Sequence, residues 1–258
     1  MKPSSFCSLS TFNSHKELYG LLLSLSIYHE NATVFCFVDM STKRSIENYV
    51  VKPKLNIHWN TCLDKYSNLS RSQMVARKIW SDFQMEKANV INFALNTCND
   101  TLFLDADQIV VGEINDIDIT KQLGVSPHYV NDYITSRVGY YNGGMLWTQN
   151  KNIPLDWIEF TKTSRYFDQA SIEDLVKKYS YFEFGQNYNF GEFRLSHNNH
   201  KWDLKSKGTQ LYLEELELKT VHTHLHKKYR LNKIIKSLLQ TAQNNKLLDV
   251  IKNITDPI

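Results

Sequence analysis

Asp105 and Asp107 close an apolar, strand-like run, Asn-Asp-Thr-Leu-Phe-Leu-Asp-Ala-Asp-Gln-Ile-Val-Val over residues 99–111. Residues two apart in an extended chain lie on the same side of it, so both carboxylates can face one hard cation, which prefers oxygen ligands. A diphosphate is the natural third party to such a pair. Acidic pairs at strand ends also serve as turn and helix-cap residues, so the pair points to metal chemistry only together with its surroundings.

The surroundings alternate strands with helices. Phe6 to Thr11 reads as a strand, Lys16 to Tyr28 as a leucine-rich helix, and Thr33 to Val38 as a β-branched and aromatic strand ending at Asp39, which makes a β-α-β unit. Asn56 to Trp59 is a third short strand. Ser72 to Phe83 and Met85 to Leu95 have helical patterns, and Thr101 to Leu104 is the buried strand that carries the acidic pair. This order predicts an α/β fold with a mostly parallel sheet and ligands at the carboxyl ends of its strands, where Ser10, Asp39, Asp105 and Asp107 fall. After Gly124 the chain turns aromatic and turn-rich, and this half is expected to build the substrate side. Ile172 to Tyr179 is a short helix. Leu231 to Ile254 reads as one long basic amphipathic helix, which packs on the domain or lies on an anionic membrane surface.

A chain of 258 residues suits one large α/β domain, expected over residues 1–229, with 230–258 as a helical tail packed on it. The formal charge of +3, with no long Lys/Arg block, argues against a nucleic-acid partner. Cys7, Cys36, Cys62 and Cys98 lack metal or redox spacing, and the first residues carry no basic region leading into an apolar signal core, so the expected location is the cytoplasm. The run Leu18 to Tyr28 is too short to span a bilayer.

Five patterns recur in a fixed order: Ser8-Leu9-Ser10-Thr11, Lys87 in the helix before the acidic strand, Leu104-Asp105-Ala106-Asp107, Tyr141-Asn142-Gly143-Gly144-Met145 followed about 24 residues on by Asp168-Gln169, and Val221-His222-Thr223-His224-Leu225-His226-Lys227-Lys228-Tyr229. In this order they resemble the GT-A fold glycosyltransferases, in particular the retaining group that contains glycogenin and the bacterial lipooligosaccharide galactosyltransferases (glycosyltransferase family 8). The resemblance runs from about residue 6 to about residue 229. It implies a hexose transferred from a nucleotide-diphosphate sugar, with a UDP-sugar as donor, to a hydroxyl of a carbohydrate or glycoconjugate acceptor.

By the same resemblance Leu9 and Ser10 contact the base and His15 covers its ring, while Lys87, or Arg77 in competition with it, reaches the diphosphate. Asp105 shares the metal with the donor ribose, Asp107 binds the metal directly, and Asn142 and Gly143 meet the donor sugar. Asp168 and Gln169 lie beside the anomeric carbon. His222 becomes the third metal ligand, with His224 in its place if the register slips by two, and Lys228 contacts the β-phosphate. One nitrogen with two carboxylates favours Mn²⁺, with Mg²⁺ as the second choice. Asn187 and Asn189 echo a Tyr-Asn pair and stand as sugar or acceptor contacts. Leu225 and Tyr229 depart from the Gly and Pro of the family pattern.

Three other readings fit parts of this pattern. Inversion of configuration would use Asp168 as a general base. Asp-Ala-Asp after a strand also resembles haloacid-dehalogenase-type phosphatases, whose loop continues differently. A nucleotide-sugar-binding module with decayed chemistry is the non-enzyme alternative.

Overall fold

Alternation along the second strand sorts its side chains between two cores. Val34, Cys36 and Val38 enter one hydrophobic cluster, and Phe35 and Phe37 enter the other, as the two-residue period of an extended chain requires. The computed structural model describes residues 1–198, 200–224 and 229–255. In chain order its strands are β1 (Phe6–Ser10), β2 (Thr33–Val38), β3 (Asn56–Asn60), β4 (Thr101–Leu104), β5 (Gln108–Val110), β6 (Leu123–Pro127), β7 (Tyr141–Thr148), β8 (Tyr181–Glu183), β9 (Phe190–Gly191), β10 (Leu204–Lys207), β11 (Gln210–Leu213), β12 (Leu216–Glu217) and β13 (Thr220–His222).

A seven-stranded sheet runs β3-β2-β1-β4-β7-β6-β8. β1 lies parallel to β2 and β4, β2 is parallel to β3, and β7 runs antiparallel between β4 and β6. The sheet is therefore mainly parallel and flanked by helices, as expected. The reversed strand β7 begins beside the end of its antiparallel neighbour β4, with Met145 opposite Leu104, so Tyr141–Gly144 and Asp105 share one rim. Helices His15–Tyr28, Arg230–Thr241 and Asn245–Thr255 contribute to the cluster on one face. Helices Trp80–Leu95, Asn152–Thr161 and Ile172–Lys178 contribute to the other.

Two helix boundaries differ from the sequence reading, for one physical reason. The segment expected as helix over 72–83 stops after Arg71–Ala76, and a new helix starts at Trp80. Lys78 has φ +59°, its N–H donates to the Val75 carbonyl, and the Ile79 N–H donates to Met74 at 3.0 Å. That is a Schellman stop built on a lysine instead of a glycine. The expected single helix 231–254 is likewise two helices, Arg230–Thr241 and Asn245–Thr255. Gln243 has φ +53°, Gln243 N–H donates to Gln240 and Asn244 N–H donates to Leu239.

The apolar stripe of this helix pair is committed to the domain. Ile235, Leu239, Leu247 and Ile251 are buried in the core, with Leu238 and Leu248 packed against it. Each such burial stabilises the fold by about 1.5–3 kcal/mol. No helix among the described residues is long and apolar enough to cross a membrane.

Candidate metal and diphosphate site

A small sheet joins residues that are far apart in sequence. β13 pairs antiparallel with β5, so that His222 lies opposite Gln108, the neighbour of Asp107, and Thr223 N–H donates to the Asp107 carbonyl at 2.9 Å. His222 Nε2 thereby stands 3.1 Å from Asp107 Oδ1. Ligand atoms of Asp105, Asp107 and His222 all lie within 4.8 Å of one another.

The opposite wall is backbone. Asp105 N–H donates to the Gly144 carbonyl at 2.8 Å, Gln108 Nε2 donates to the same oxygen at 2.6 Å, and Gly144 N–H donates to Asn142 Oδ1 at 2.8 Å. A Cβ on Gly144 would fall 2.7 Å from His222 Cε1 and 2.8 Å from Asp105 Oδ2; on Gly143 it would fall 2.3 Å from Asp168 Oδ2. A side chain at Gly144 would intrude between His222 and Asp105, and one at Gly143 would collide with Asp168.

Lys87 closes the floor. Its ammonium donates to Asp168 Oδ2 at 3.0 Å, the Gly143 carbonyl at 3.1 Å and Asp105 Oδ2 at 3.2 Å. Burial opposes the charged ammonium, but the carboxylates of Asp105 and Asp168 outweigh it and raise the Lys87 pKa. Asp168 is fixed through its backbone as well, because Trp157 Nε1 donates to its carbonyl at 2.8 Å.

Burial raises the Asp105 pKa, and Lys87 offsets only part of that. Asp107 also loses hydration, yet His222 holds its carboxyl well below the usual range. Burial works against protonated His222, and Asp107 more than compensates, raising its pKa. Two enclosed carboxylates and an imidazole, around a space kept open by a missing Cβ, form a donor set that fits a divalent cation.

Two adjoining cavities, of about 130 and about 280 Å³, share Arg71, Gln84, Lys87 and Asp105. The smaller is walled by Asn142, Gly143, Asp168 and Gln169, and the larger by Leu9, Trp80, Phe83 and Asp107. The smaller is lined mainly by polar groups, and the larger adds the rings of Trp80 and Phe83.

The sequence matches no family model and no curated protein. Its structure is nonetheless similar to solved glycosyltransferases. With the galactosyltransferase LgtC, solved in complex with donor and acceptor sugar analogues, the TM-score is 0.59 at 12% identity, covering 98% of this chain and 97% of that one. With the glycosyltransferase GlyE of Streptococcus pneumoniae TIGR4 it is 0.57 at 15% identity, covering 100% of this chain and 65% of that one. This chain has the GT-A glycosyltransferase fold.

Within the GT-A frame the expected site residues divide. Leu9, Lys87, Asp105, Asp107, Asn142, Gly143, Asp168, Gln169 and His222 converge on the cleft. Ser10 is buried, and its hydroxyl is spent on the Thr11 carbonyl and on Ser14. Asp39 caps the following helix through Thr42 N–H and also accepts from Phe12 N–H, so it shapes the β1 loop. The His15 ring stacks on Phe12, with centroids 4.6 Å apart, instead of lining the cleft. Arg77 is the exposed C-cap of its short helix and does not line the cleft. Lys228 lies outside the described residues. Asn187 ties to the Glu217 carbonyl, and Asn189 is fully buried behind His222.

The arginine that does reach the cleft is Arg71, whose guanidinium sits 5.0 Å from the Trp80 ring centre. The sequence reading missed it, along with Gln84, Gln108 and Glu17. His224 lines the larger cavity, its Nδ1 3.2 Å from Asp107 Oδ2 and 3.5 Å from Glu17 Oε1. His128 is a further missed residue: its Nε2 lies 2.9 Å from Asn142 Nδ2, which in turn is 3.5 Å from Gln169 Oε1.

Proposed function

We propose that this chain is a divalent-metal-dependent glycosyltransferase that moves a hexose from a nucleotide-diphosphate sugar, a UDP-sugar, to a hydroxyl of a carbohydrate or glycoconjugate acceptor. The observation that carries the reading is the gathering of Asp105, Asp107 and His222 within 4.8 Å, opposite the glycine backbone of β7, in a GT-A fold. Asp105, Asp107 and His222 would hold the ion, with Mn²⁺ preferred on the strength of the imidazole. When bound, the ion supplies Lewis-acid stabilisation of the charge that develops on the departing diphosphate.

The remaining chemistry belongs to the chain. Arg71 faces both cavities and meets the diphosphate, Trp80 and Phe83 take the base, and Asn142 and Gly143 take the sugar. Lys87 neutralises Asp168 and Asp105 and so keeps the floor in place. The bond from the anomeric carbon to the phosphate oxygen breaks, a bond to the acceptor oxygen forms, and the acceptor proton passes to the departing phosphate oxygen. Gln169 lies beside the anomeric carbon in this reading, and configuration is retained. The ion pair of Asp168 with Lys87 favours a positioning role for it over that of a general base in an inverting reaction.

We place the protein in the cytoplasm. Any contact with an anionic membrane would use exposed Lys233, Lys236, Lys246 and Lys252, because the apolar stripe of these helices is packed on the core. Incubation with UDP- and GDP-hexoses in Mn²⁺, with nucleotide diphosphate release followed by chromatography, tests the reading. Release from a UDP-hexose that stops with chelator is expected, and binding of the donors with no turnover under any condition would instead favour a decayed binding module.

A further inference from the structure

His222 can act as a ligand only if Nε2 keeps a lone pair facing the two aspartates, which requires the proton on Nδ1. One side chain meets that nitrogen. Asn189 Oδ1 lies 2.8 Å from His222 Nδ1, and an amide oxygen can only accept.

The orientation of that amide is itself fixed. Asn189 Nδ2 donates to Ser126 Oγ at 3.0 Å, and the backbone N–H of Asn189 donates to Thr220 Oγ1 at 2.7 Å. The residue is fully buried and has φ +51°, a left-handed conformation that asparagine tolerates better than most residues. Its loop is clamped from below by Arg194, also fully buried, which donates to the carbonyls of Tyr188 at 2.8 Å and Gln186 at 2.5 Å. β9 begins one residue later and pairs with β13 at His222.

We infer that Asn189 is a positioning residue that holds His222 as its Nδ1–H tautomer, with Nε2 turned to Asp105 and Asp107, and thereby sets the metal affinity of the site. The inference rests on the metal reading above. It replaces the expected sugar or acceptor contact at Asn189, because a fully buried amide with both ends engaged offers a ligand no surface.

The test is a Mn²⁺ titration followed by electron paramagnetic resonance, on wild type, Asn189→Gly, Asn189→Asp and Ser126→Ala, with thermal midpoints in chelator as the folding control. Glycine accepts the left-handed backbone and removes only the amide. Asn189→Gly is expected to weaken Mn²⁺ binding by about 10- to 100-fold, the usual effect of losing an outer-shell partner. Asn189→Asp keeps an oxygen on Nδ1 and should bind at least as tightly as wild type. Ser126→Ala frees the amide to turn and should weaken binding in the same direction, which keeps the test open if Asn189→Gly does not fold. Wild-type affinity in Asn189→Gly, or in Ser126→Ala where the glycine variant is unfolded, would overturn the inference, as would equal weakening in Asn189→Asp and Asn189→Gly. Absence of Mn²⁺ binding by wild type would instead remove the metal reading itself.

Discussion

Lys87 and Asp168 form an ion pair at 3.0 Å with side chains only 6% and 3% exposed, although 81 residues separate them. A pair so enclosed is asymmetric in its energetics. Both charges have lost their hydration, and removing one partner strands the other, at a cost of about 3–5 kcal/mol. Lys87→Met should therefore lower unfolding free energy by about that amount, because Asp105 and Asp168 are both left without their cation. Replacing Asp168 by Leu in the same chain should recover part of the loss. Chemical denaturation in chelator measures both, and a Lys87→Met loss below about 1 kcal/mol, the range of an exposed pair, would contradict this account.

Gly144 gives a prediction of the opposite kind, an added atom. A methyl group there falls 2.7 Å from His222 Cε1 and 2.8 Å from Asp105 Oδ2, so Gly144→Ala must push a ligand aside. Overpacking of this sort costs about 1–3 kcal/mol, and the displaced ligands should lower nucleotide-sugar turnover by about 10²-fold or more. Turnover of the variant at the wild-type rate would mean that the two ligands do not act from where they stand.

Acid should destabilise the protein through two buried histidines. Burial lowers the His128 pKa to about 4 and does the same to His29, where Lys2 adds to it. Both rings accept a hydrogen bond at Nε2, from Asn142 Nδ2 at 2.9 Å and from Ile114 N–H at 3.1 Å, which only the neutral form can do. In the unfolded chain each takes a proton near the ordinary value of about 6.5. Between about pH 6.5 and 4 the unfolded state thus binds more protons, so stability is fully present above that window and is lost as pH falls through it, by at most about 3 kcal/mol for each ring. Urea midpoints at about pH 7.5 and 4.5 should differ accordingly, and His29→Gln, which keeps an acceptor and cannot titrate, should narrow the difference. A midpoint in wild type that does not move over this range would refute the assignment.

The strands that carry the site were readable from local pattern. β2 and β4 have the bounds their β-branched and apolar runs imply, and the acidic pair follows β4 as alternation requires. What escaped was chemistry without a local signature. The helix stops at Lys78 and Gln243 are left-handed residues that are not glycine, so nothing in composition marked them. The resemblance offered Arg77 for the diphosphate, but it is Arg71, six residues earlier, that lines the cleft. The pairing of β13 with β5 and β9 involves strands of two or three residues, too short to show a period, yet it is this pairing that brings His222 to Asp107 and to Asn189. Asp39 and His15 looked functional by position, and only contacts reveal that one is a helix cap and the other a partner of Phe12.

The central claim is that Asp105, Asp107 and His222 share one divalent ion that grips a donor's diphosphate. Calorimetric titration of UDP into the protein, with Mn²⁺ and again in chelator, tests it most directly when repeated on Asp107→Asn. Tight binding that needs Mn²⁺ in wild type, and falls to the chelated level in Asp107→Asn even with Mn²⁺ present, is the predicted result. UDP binding of equal strength with and without the metal, or unaffected by loss of the Asp107 carboxylate, would contradict the account.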